Sequence, residues 1–111
     1  MVLLLVLLMA GVAGWIASSP ARAAGIPPVP VLSVDPLVGD LSTFFIADGS
    51  GSSDLDGFLA SALIDWGDGT IWPDFFDSHM YLAPGTYIVN LTVTDNDGMS
   101  NSTTQTVQVK S

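Results

Sequence analysis

The stretch "TYIVNLTVT", residues 86–94, decides the fold class of this chain of 111 residues. One face of the stretch carries Tyr87, Val89, Leu91 and Val93, and the other carries Ile88, Asn90, Thr92 and Thr94. This period of two is typical of a strand with one buried face. "TTQTVQVK" at 103–110 and "LSTFFIA" at 41–47 are rich in β-branched or aromatic residues and are further strand candidates.

The segment "FLASALIDW", residues 58–66, is ambiguous, because its composition also suits a helix. Its short length and the turn residues at both ends favour a strand: Asp56-Gly57 precedes it and Gly67-Asp68-Gly69 follows it. As a strand it turns one face to the core, with Ala62, Ile64 and Trp66, and the other outward, with Leu59, Ser61, Leu63 and Asp65.

Turn-forming segments separate these runs: "DGSGSSDLDG", "GDGT", "APGT" and "DNDG". Each supplies Gly, Asn or Asp, which tolerate a positive φ or form Asx turns. Short strands with such turns, and no amphipathic helix, predict an all-β class. We expect an immunoglobulin-like antiparallel β-sandwich of about seven strands over residues 32–110.

The N-terminal segment has a different composition from the rest. Residues 1–17 carry no charge, and Ala21-Arg22-Ala23 fits the small-residue pattern at a signal-peptide cleavage site. Residues 1–23 are therefore either a cleaved leader or a retained apolar helix, which would anchor the chain in a membrane or pack in a filament. Residues 24–31 are expected to form a Pro-rich linker. Each alternative places the protein outside the cell or at its surface.

Charge excludes one class of partner and favours another. The net charge is −9, all acidic residues are Asp, and Cys is absent. Such a surface repels nucleic acid and attracts cations or basic partners. Since a domain of this size without disulfides is only modestly stable, a structural metal is worth seeking.

Five short motifs occur together in one order: "GSGSSDLDG" (49–57), "IDWGDGT" (64–70), "HMY" (79–81), "PGTY" (84–87) and "LTVTDNDG" (91–98). In this order and spacing they resemble a PKD domain, the immunoglobulin-like module of polycystin-type and many microbial surface proteins. The resemblance covers about residues 31–110. One departure is that the large aromatic of the WDFGDG motif has moved to Trp66, two residues along the strand and on the same face.

The resemblance implies structural roles for several aromatic residues of this sequence. Trp66 and Ile64 are expected to fill the core, and Gly67-Asp68-Gly69 to form a tight turn. Tyr87 is expected near a corner, with its hydroxyl bonded to the backbone. His79 and Tyr81 are expected to be structural as well.

The sequence offers little for catalysis. Asp77-Ser78-His79 contains the residue types of a catalytic triad, but Ser78 and His79 would point to opposite faces of a strand. The single histidine has no second histidine or cysteine with which to share a zinc ion. We therefore expect that the chain is not an enzyme.

Two Asp-rich loops predict a calcium site. Asp54-Leu55-Asp56-Gly57 and Asp95-Asn96-Asp97-Gly98 place carboxylates two residues apart beside a glycine, a spacing common in loops that bind hard cations. In an immunoglobulin-like topology the two loops lie at one end of the sandwich. Asp54, Asp56 and Asp95 are the candidate ligands, together with carbonyl groups near the start of the domain. The alternative is that these aspartates only form turns.

Other residues are candidates for contacts or modification. Trp72, Phe75, Phe76 and Leu63 are apolar where solvent is expected, and they predict a partner-binding patch. The alternative is that they plug an open end of the core. Asn90-Leu91-Thr92 and Asn101-Ser102-Thr103 are sequons for N-glycosylation at Asn90 and Asn101.

Taken together, these features predict a non-catalytic adhesion or assembly module at the cell surface, with cell-surface proteins or polysaccharide as partners. One alternative is a structural subunit of an extracellular filament or surface layer, held by a retained N-terminal helix. A second alternative is a carbohydrate-binding accessory domain that uses the aromatic residues to stack on sugars.

Overall fold

The computed structural model describes residues 25–111, which form eight strands and no helix. The strands are β1 (Ser33–Asp35), β2 (Val38–Asp40), β3 (Phe45–Asp48), β4 (Leu59–Asp65), β5 (Ile71–Trp72), β6 (Phe76–His79), β7 (Gly85–Asp95) and β8 (Ser100–Lys110). The predicted helical segment at residues 1–23 lies outside the described residues. Within the described range nothing qualifies as a helix able to cross a membrane.

The strands form two sheets. The small sheet has the order β1-β3-β6, and the large sheet has the order β2-β8-β7-β4-β5. All neighbouring pairs are antiparallel except β2 and β8, which run parallel. The prediction of an all-β sandwich is thus confirmed, and 58–66 is a strand rather than a helix.

The core lies between the sheets and follows the alternation of the sequence. On β7, Val89, Leu91 and Val93 are fully buried, and on β4 Ile64 faces the same interior. The small sheet contributes Val34, Phe45 and Ala47, which are buried. Leu32, just before β1, is also buried in this core. Burial of such side chains contributes about 1.5–3 kcal/mol each, so this layer is the main source of stability.

The expected outward position of Leu59 is wrong. The pairing of β4 with β7 shifts between Leu59 and Ser61, so that Leu59 pairs with Asp95 on the inward side of β7. The extra residue of this bulge returns Leu59 to the core face, where it packs against the buried cluster. Leu63 and Asp65, beyond the bulge, keep the predicted outward orientation.

An aromatic cluster closes one end of the core: Trp66, His79, Tyr81 and Tyr87. Trp66 is completely buried, stacks on His79 and donates its indole N–H to Asp77 Oδ2 at 2.9 Å. Gly67 and Gly69 have φ angles of 84° and 96°, which let the chain reverse directly after Trp66.

Both tyrosines of the aromatic cluster bond to the backbone. Tyr81 donates its hydroxyl to the carbonyl of Trp66 at 2.8 Å, and burial raises the pKa of Tyr81, so this donor stays protonated. Tyr87 donates to the carbonyl of Ala83 at 2.7 Å, as expected. His79 Nε2 lies 2.7 Å from Asp68 Oδ2. The structural roles predicted for these residues are confirmed.

The predicted linker is instead part of the folded domain. Val29 exchanges two backbone hydrogen bonds with Ser53, at 2.8 and 3.0 Å. Pro28 is fully buried, and its carbonyl accepts a hydrogen bond from Asn101 Nδ2 at 3.2 Å. The Pro-rich composition suggested a stiff spacer. A proline side chain can nevertheless fill a hydrophobic site, as Pro28 does.

The two ends of the sandwich are therefore distinct. The loop end contains the β3–β4 loop and the β7–β8 turn, and the chain enters the domain there, through Ile26 and Val29. The opposite end contains the β6–β7 connection and the last residues of β8, where Val109 pairs with Gly85.

Candidate functional site

Three carboxylates converge at the loop end, as the sequence predicts. Asp54 and Asp56 lie on the β3–β4 loop, and Asp95 is the last residue of β7. One oxygen from each of the three lies within 4.8 Å of the others. Two oxygens bound to one calcium ion, each about 2.4 Å from it, lie at most about 5 Å apart. The spacing therefore fits a shared cation.

Asp95 is the most buried member of this acidic cluster, with a relative exposure of 1%. Its Oδ1 accepts hydrogen bonds from the backbone N–H groups of Asp97 and Met99, both at 2.9 Å. Its Oδ2 is buried and has no hydrogen-bond partner among the described residues. Since a buried carboxylate oxygen without a partner is costly, this atom points to a ligand.

Asp54 is in a similar position. Both of its carboxyl oxygens are shielded from solvent, and neither has a hydrogen-bond partner within residues 25–111. Burial raises the pKa of Asp54, and the neighbouring carboxyl groups of Asp56 and Asp95 raise it further. A divalent cation would reverse this effect, because it favours the ionised carboxylate.

Backbone contacts hold the two loops together. Asp56 Oδ2 accepts the N–H of Ile26 at 2.9 Å, which ties the start of the domain to the cluster. Asn96 joins the loops, because its Oδ1 accepts the N–H of Phe58 at 2.9 Å and its own N–H donates to the carbonyl of Phe58 at 3.0 Å. A Cβ at Gly57 would overlap Asn96 Oδ1 and lie 2.9 Å from Asp54 Oδ2. A side chain at position 57 would therefore displace Asn96 or Asp54.

The role of Asn96 was not anticipated from the sequence. Its position between the two aspartates of "DNDG" is the only signal that it belongs to the site, and that motif equally suits a turn. Only the pairing of the two loops shows that Asn96 reaches Phe58 rather than its own backbone.

The donor set suits calcium better than zinc. The acidic cluster offers carboxylate oxygens, which hard cations prefer, whereas zinc sites use His and Cys. The chain has no cysteine, and its one histidine bonds to Asp68 in the aromatic cluster instead.

Ser78 and His79 face opposite sides of β6, as predicted. Ser78 pairs with Ile46 on the exposed face of the small sheet, whereas His79 pairs with the buried Phe45 and stacks on Trp66. The residue types of a triad are present, but their side chains do not form one.

The four residues of the predicted partner patch occupy different elements of the sandwich. Leu63 pairs with Thr92 on the outer face of the large sheet, and Phe76 pairs with Asp48 on the outer face of the small sheet. Trp72 is exposed on the edge strand β5, and Phe75 packs against the core. Phe75 thus fits the alternative of a core plug, and the register places Leu63 and Phe76 on different sheets. Partner binding by these residues stays a prediction.

A different apolar surface is present on the small sheet. Phe76 and Ile46 are exposed on its outer face, and Phe44 and Met80 extend the same alternation just beyond β3 and β6. We call these four residues the small-sheet face. Phe44 and Ile46 were not singled out from the sequence, although the alternation around the buried Phe45 was the signal.

The two sequons lie on different sides of the large sheet. Asn90 is on the outer face, as predicted, and donates from Nδ2 to Thr92 Oγ1 at 3.1 Å. Asn101 pairs with Val93 and bonds to the carbonyl of Pro28. A glycan on Asn101 would replace this contact. Glycosylation at Asn90 and at Asn101 stays a prediction.

Comparison with known families decides the identity of the fold. The sequence profile described as "PKD domain" matches residues 27–111, which is most of the chain. This chain belongs to the PKD domain family. The match begins within the segment that packs on the loop end, and it includes all three members of the acidic cluster.

Related PKD sequences occur in longer bacterial proteins. A microbial collagenase of Vibrio alginolyticus is 36% identical over 72 residues, which are 65% of this chain and 8% of the collagenase. The pre-pro-metalloprotease PrtV of Vibrio cholerae is 41% identical over 58 residues, 52% of this chain and 6% of that protein. The chain thus spans less than a tenth of these relatives.

Solved structures agree with the assignment. The PKD1 domain of the Vibrio cholerae metalloprotease PrtV has a TM-score of 0.68 and 34% identity, covering 78% of this chain and all of that domain. A protein studied for the promiscuous specificity of carbohydrate-binding modules of the β-sandwich superfamily has a TM-score of 0.74 and 34% identity. This PKD domain covers 36% of that protein, and 78% of this chain is matched.

Proposed function

We propose that this PKD domain is a non-catalytic adhesion or assembly module that acts outside the cell. Membership of the family, the occurrence of related domains in a collagenase and a pre-pro-metalloprotease, and the apolar leader-like sequence support this role. The module would act by holding its faces and loops in a fixed geometry rather than by chemistry.

The observation that carries the proposal is the small-sheet face. Phe76 is 55% exposed, and Ile46 and Phe44 are also largely open to solvent. Monomeric proteins rarely leave contiguous apolar areas in water without a partner. Asp35 and Asp48 pair with Ile46 and Phe76, so the face combines apolar side chains with negative charge. It suits a protein partner with apolar and basic residues.

The test compares two exposed apolar residues on opposite faces. Phe76→Ser removes an aromatic ring from the small-sheet face, and Ile88→Ser removes a similarly exposed side chain, 58% against 55%, from the outer face of the large sheet. We expect only Phe76→Ser to weaken attachment to cells of the source organism or self-association in sedimentation equilibrium. Equal effects of the two variants, or none, would contradict the proposal.

We also propose that calcium is the structural cofactor of the module and that Asp54, Asp56 and Asp95 bind it. The unpartnered buried oxygens of Asp54 and Asp95 support this assignment. Bound calcium would neutralise the repulsion among the three carboxylates and hold the two loops and the start of the domain together.

Terbium luminescence and isothermal titration with calcium test the site directly. Asp56→Asn should abolish saturable binding, whereas Asp35→Asn, which removes an exposed carboxylate from β1, should preserve it. If both variants bind calcium like the parent chain, the three aspartates serve only as turn formers.

Carbohydrate binding is a second candidate function. Trp72 is 47% exposed on the edge strand β5, and aromatic rings in such positions stack on sugars. The similarity to a protein studied for carbohydrate-binding modules also favours it. Glycan-array binding that Trp72→Ala abolishes and Ile71→Ala preserves would support this function, and an array without signal would reject it.

The filament or surface-layer alternative depends on residues 1–23. Intact mass of the native protein shows whether these residues are retained. A mass that lacks them would exclude a filament built on an N-terminal helix.

A further inference from the structure

Two large apolar side chains project into solvent from the calcium loops themselves. Leu55, between Asp54 and Asp56, is 77% exposed, and Phe58, directly after Gly57, is 66% exposed. Neither belongs to the hydrophobic core. Ile26 and Val29, on the segment that bonds to the same loop, are also exposed. We call these four residues the apolar rim of the acidic cluster.

The backbone that carries the apolar rim is held by a turn and by hydrogen bonds between the loops. Leu55 and Asp56 form a turn at the end of the sandwich, and the backbone of Phe58 is fixed by its two hydrogen bonds with Asn96. Leu55 and Phe58 are therefore exposed apolar side chains directly beside the candidate cation site.

We propose that the calcium-loaded loop end docks on an anionic phospholipid surface. Calcium takes six to eight oxygen ligands, and the acidic cluster supplies one oxygen from each of three residues in the arrangement described. Asp56 is the exposed member of the cluster. From its side, phosphate oxygens of lipid headgroups would complete the coordination, while Leu55 and Phe58 enter the interfacial region of the bilayer. This inference rests on the calcium site proposed above.

Charge makes the docking depend on calcium. The chain has a net charge of −9, so without a cation the loop end is repelled by a negatively charged membrane. Bound calcium both reduces the local negative charge and offers open coordination positions to phosphate. The lipid surface is therefore the occupant that the acidic cluster and the apolar rim fit together.

The position of Gly25 at the loop end also supports docking at this end of the sandwich. Gly25 lies against the acidic cluster, since a Cβ there would be 3.2 Å from Asp56 Oδ2. The uncharged run at residues 1–17 is separated from Gly25 by residues 18–24 only. Seven residues span at most about 25 Å. If the apolar run is held in a bilayer, the loop end lies next to that bilayer.

The first test reports where each end of the domain is located. Because the full chain has no cysteine, Leu55→Cys creates a unique site for a polarity-sensitive fluorophore. Leu82→Cys provides the matched control, since Leu82 is exposed at the opposite end of the sandwich. With vesicles of phosphatidylcholine and phosphatidylserine, calcium should shift the emission of the Leu55 probe to the blue, and EDTA should reverse it. The Leu82 probe should not change.

The second test uses unlabelled full-length chains and vesicle co-sedimentation. Leu55→Ser and Phe58→Ser should each lower the calcium-dependent affinity for anionic vesicles roughly tenfold, because each removes a large apolar group from the bilayer interface. Calcium affinity measured without lipid should be unchanged in both variants. Vesicles of phosphatidylcholine alone should give no calcium-dependent binding.

The outcomes separate the two proposals. Calcium binding without a shift at Leu55, or with equal calcium-dependent binding to neutral and anionic vesicles, would overturn docking and leave the calcium site intact. Absence of calcium binding would overturn both. A shift of the Leu82 probe equal to that of the Leu55 probe would show non-specific adsorption and would also overturn docking.

Discussion

The aromatic cluster and the acidic cluster contrast in how their polar atoms are satisfied. Around Trp66, the indole N–H bonds to Asp77, and both tyrosine hydroxyls bond to backbone carbonyls. At the loop end, Asp95 Oδ2 and both oxygens of Asp54 have no partner in the described part of the chain. The aromatic cluster is thus satisfied by its own hydrogen bonds, whereas the acidic cluster leaves carboxylate oxygens that the proposed calcium ion would satisfy.

The largest expected effect comes from the self-sufficient end. Trp66→Ala removes the largest fully buried side chain and should lower the free energy of unfolding by about 3–5 kcal/mol. Denaturant unfolding measures the loss. Trp72→Ala is the control, because the same truncation at an exposed edge position should cost about 1 kcal/mol or less. Similar losses at both positions would contradict the central role of Trp66.

Calcium should act on the other end alone. At a free concentration about 100 times the dissociation constant, calcium should stabilise the domain by about 2.7 kcal/mol. For a domain of this size the melting temperature should rise on the order of 10 °C over its value in EDTA. Asp95→Asn should remove the rise and Asp35→Asn should retain it. If scanning calorimetry finds the same melting temperature with calcium and with EDTA, calcium does not stabilise the loop end.

The stability of the acidic cluster is expected to depend on pH. The pKa of Asp54 is raised above its ordinary value of 3.8, so its contribution to stability is present at low pH and is lost as the pH rises through the raised value. In EDTA, Asp54→Asn should therefore match the parent chain at low pH and be more stable than it at neutral pH. With saturating calcium the order should reverse. Melting curves across this pH range that stay parallel would disprove the coupling among the carboxylates.

The smallest effect is expected at Tyr87. Tyr87→Phe removes only the hydrogen bond to the carbonyl of Ala83 and should cost about 1 kcal/mol in denaturant unfolding. The stabilisation by calcium should be unchanged, since Tyr87 lies at the opposite end. A change in the calcium effect would mean that the two ends are coupled.

Much of the fold was predictable because alternation and turn chemistry are local. The buried face of β7, the core position of Trp66 and the corner bond of Tyr87 follow from residue order and the family resemblance. The orientation of Leu59 was not predictable, because a bulge depends on the partner strand. The packing of residues 25–31 on the domain was not predicted, because their contacts are with Ser53 and Asn101, which are distant in sequence.

The acidic cluster was predictable from the sequence, whereas the apolar contact surface was not. Each pair of nearby aspartates lies in one loop, and the topology of the family brings the loops together. An exposed surface depends instead on register between strands, which a single sequence does not specify. Phe76 therefore shares a face with Ile46 rather than with Leu63.

The parallel pairing of β2 with β8 has a mechanical consequence. The chain enters at the loop end and leaves at the far end, so a pulling force between Ile26 and Lys110 draws β2 and β8 in opposite directions along their length. Hydrogen bonds between parallel strands are evenly spaced and slanted, so a force along the strands loads them together rather than opening them one at a time. Tension between the two ends would therefore load the pairing of β2 with β8 in shear.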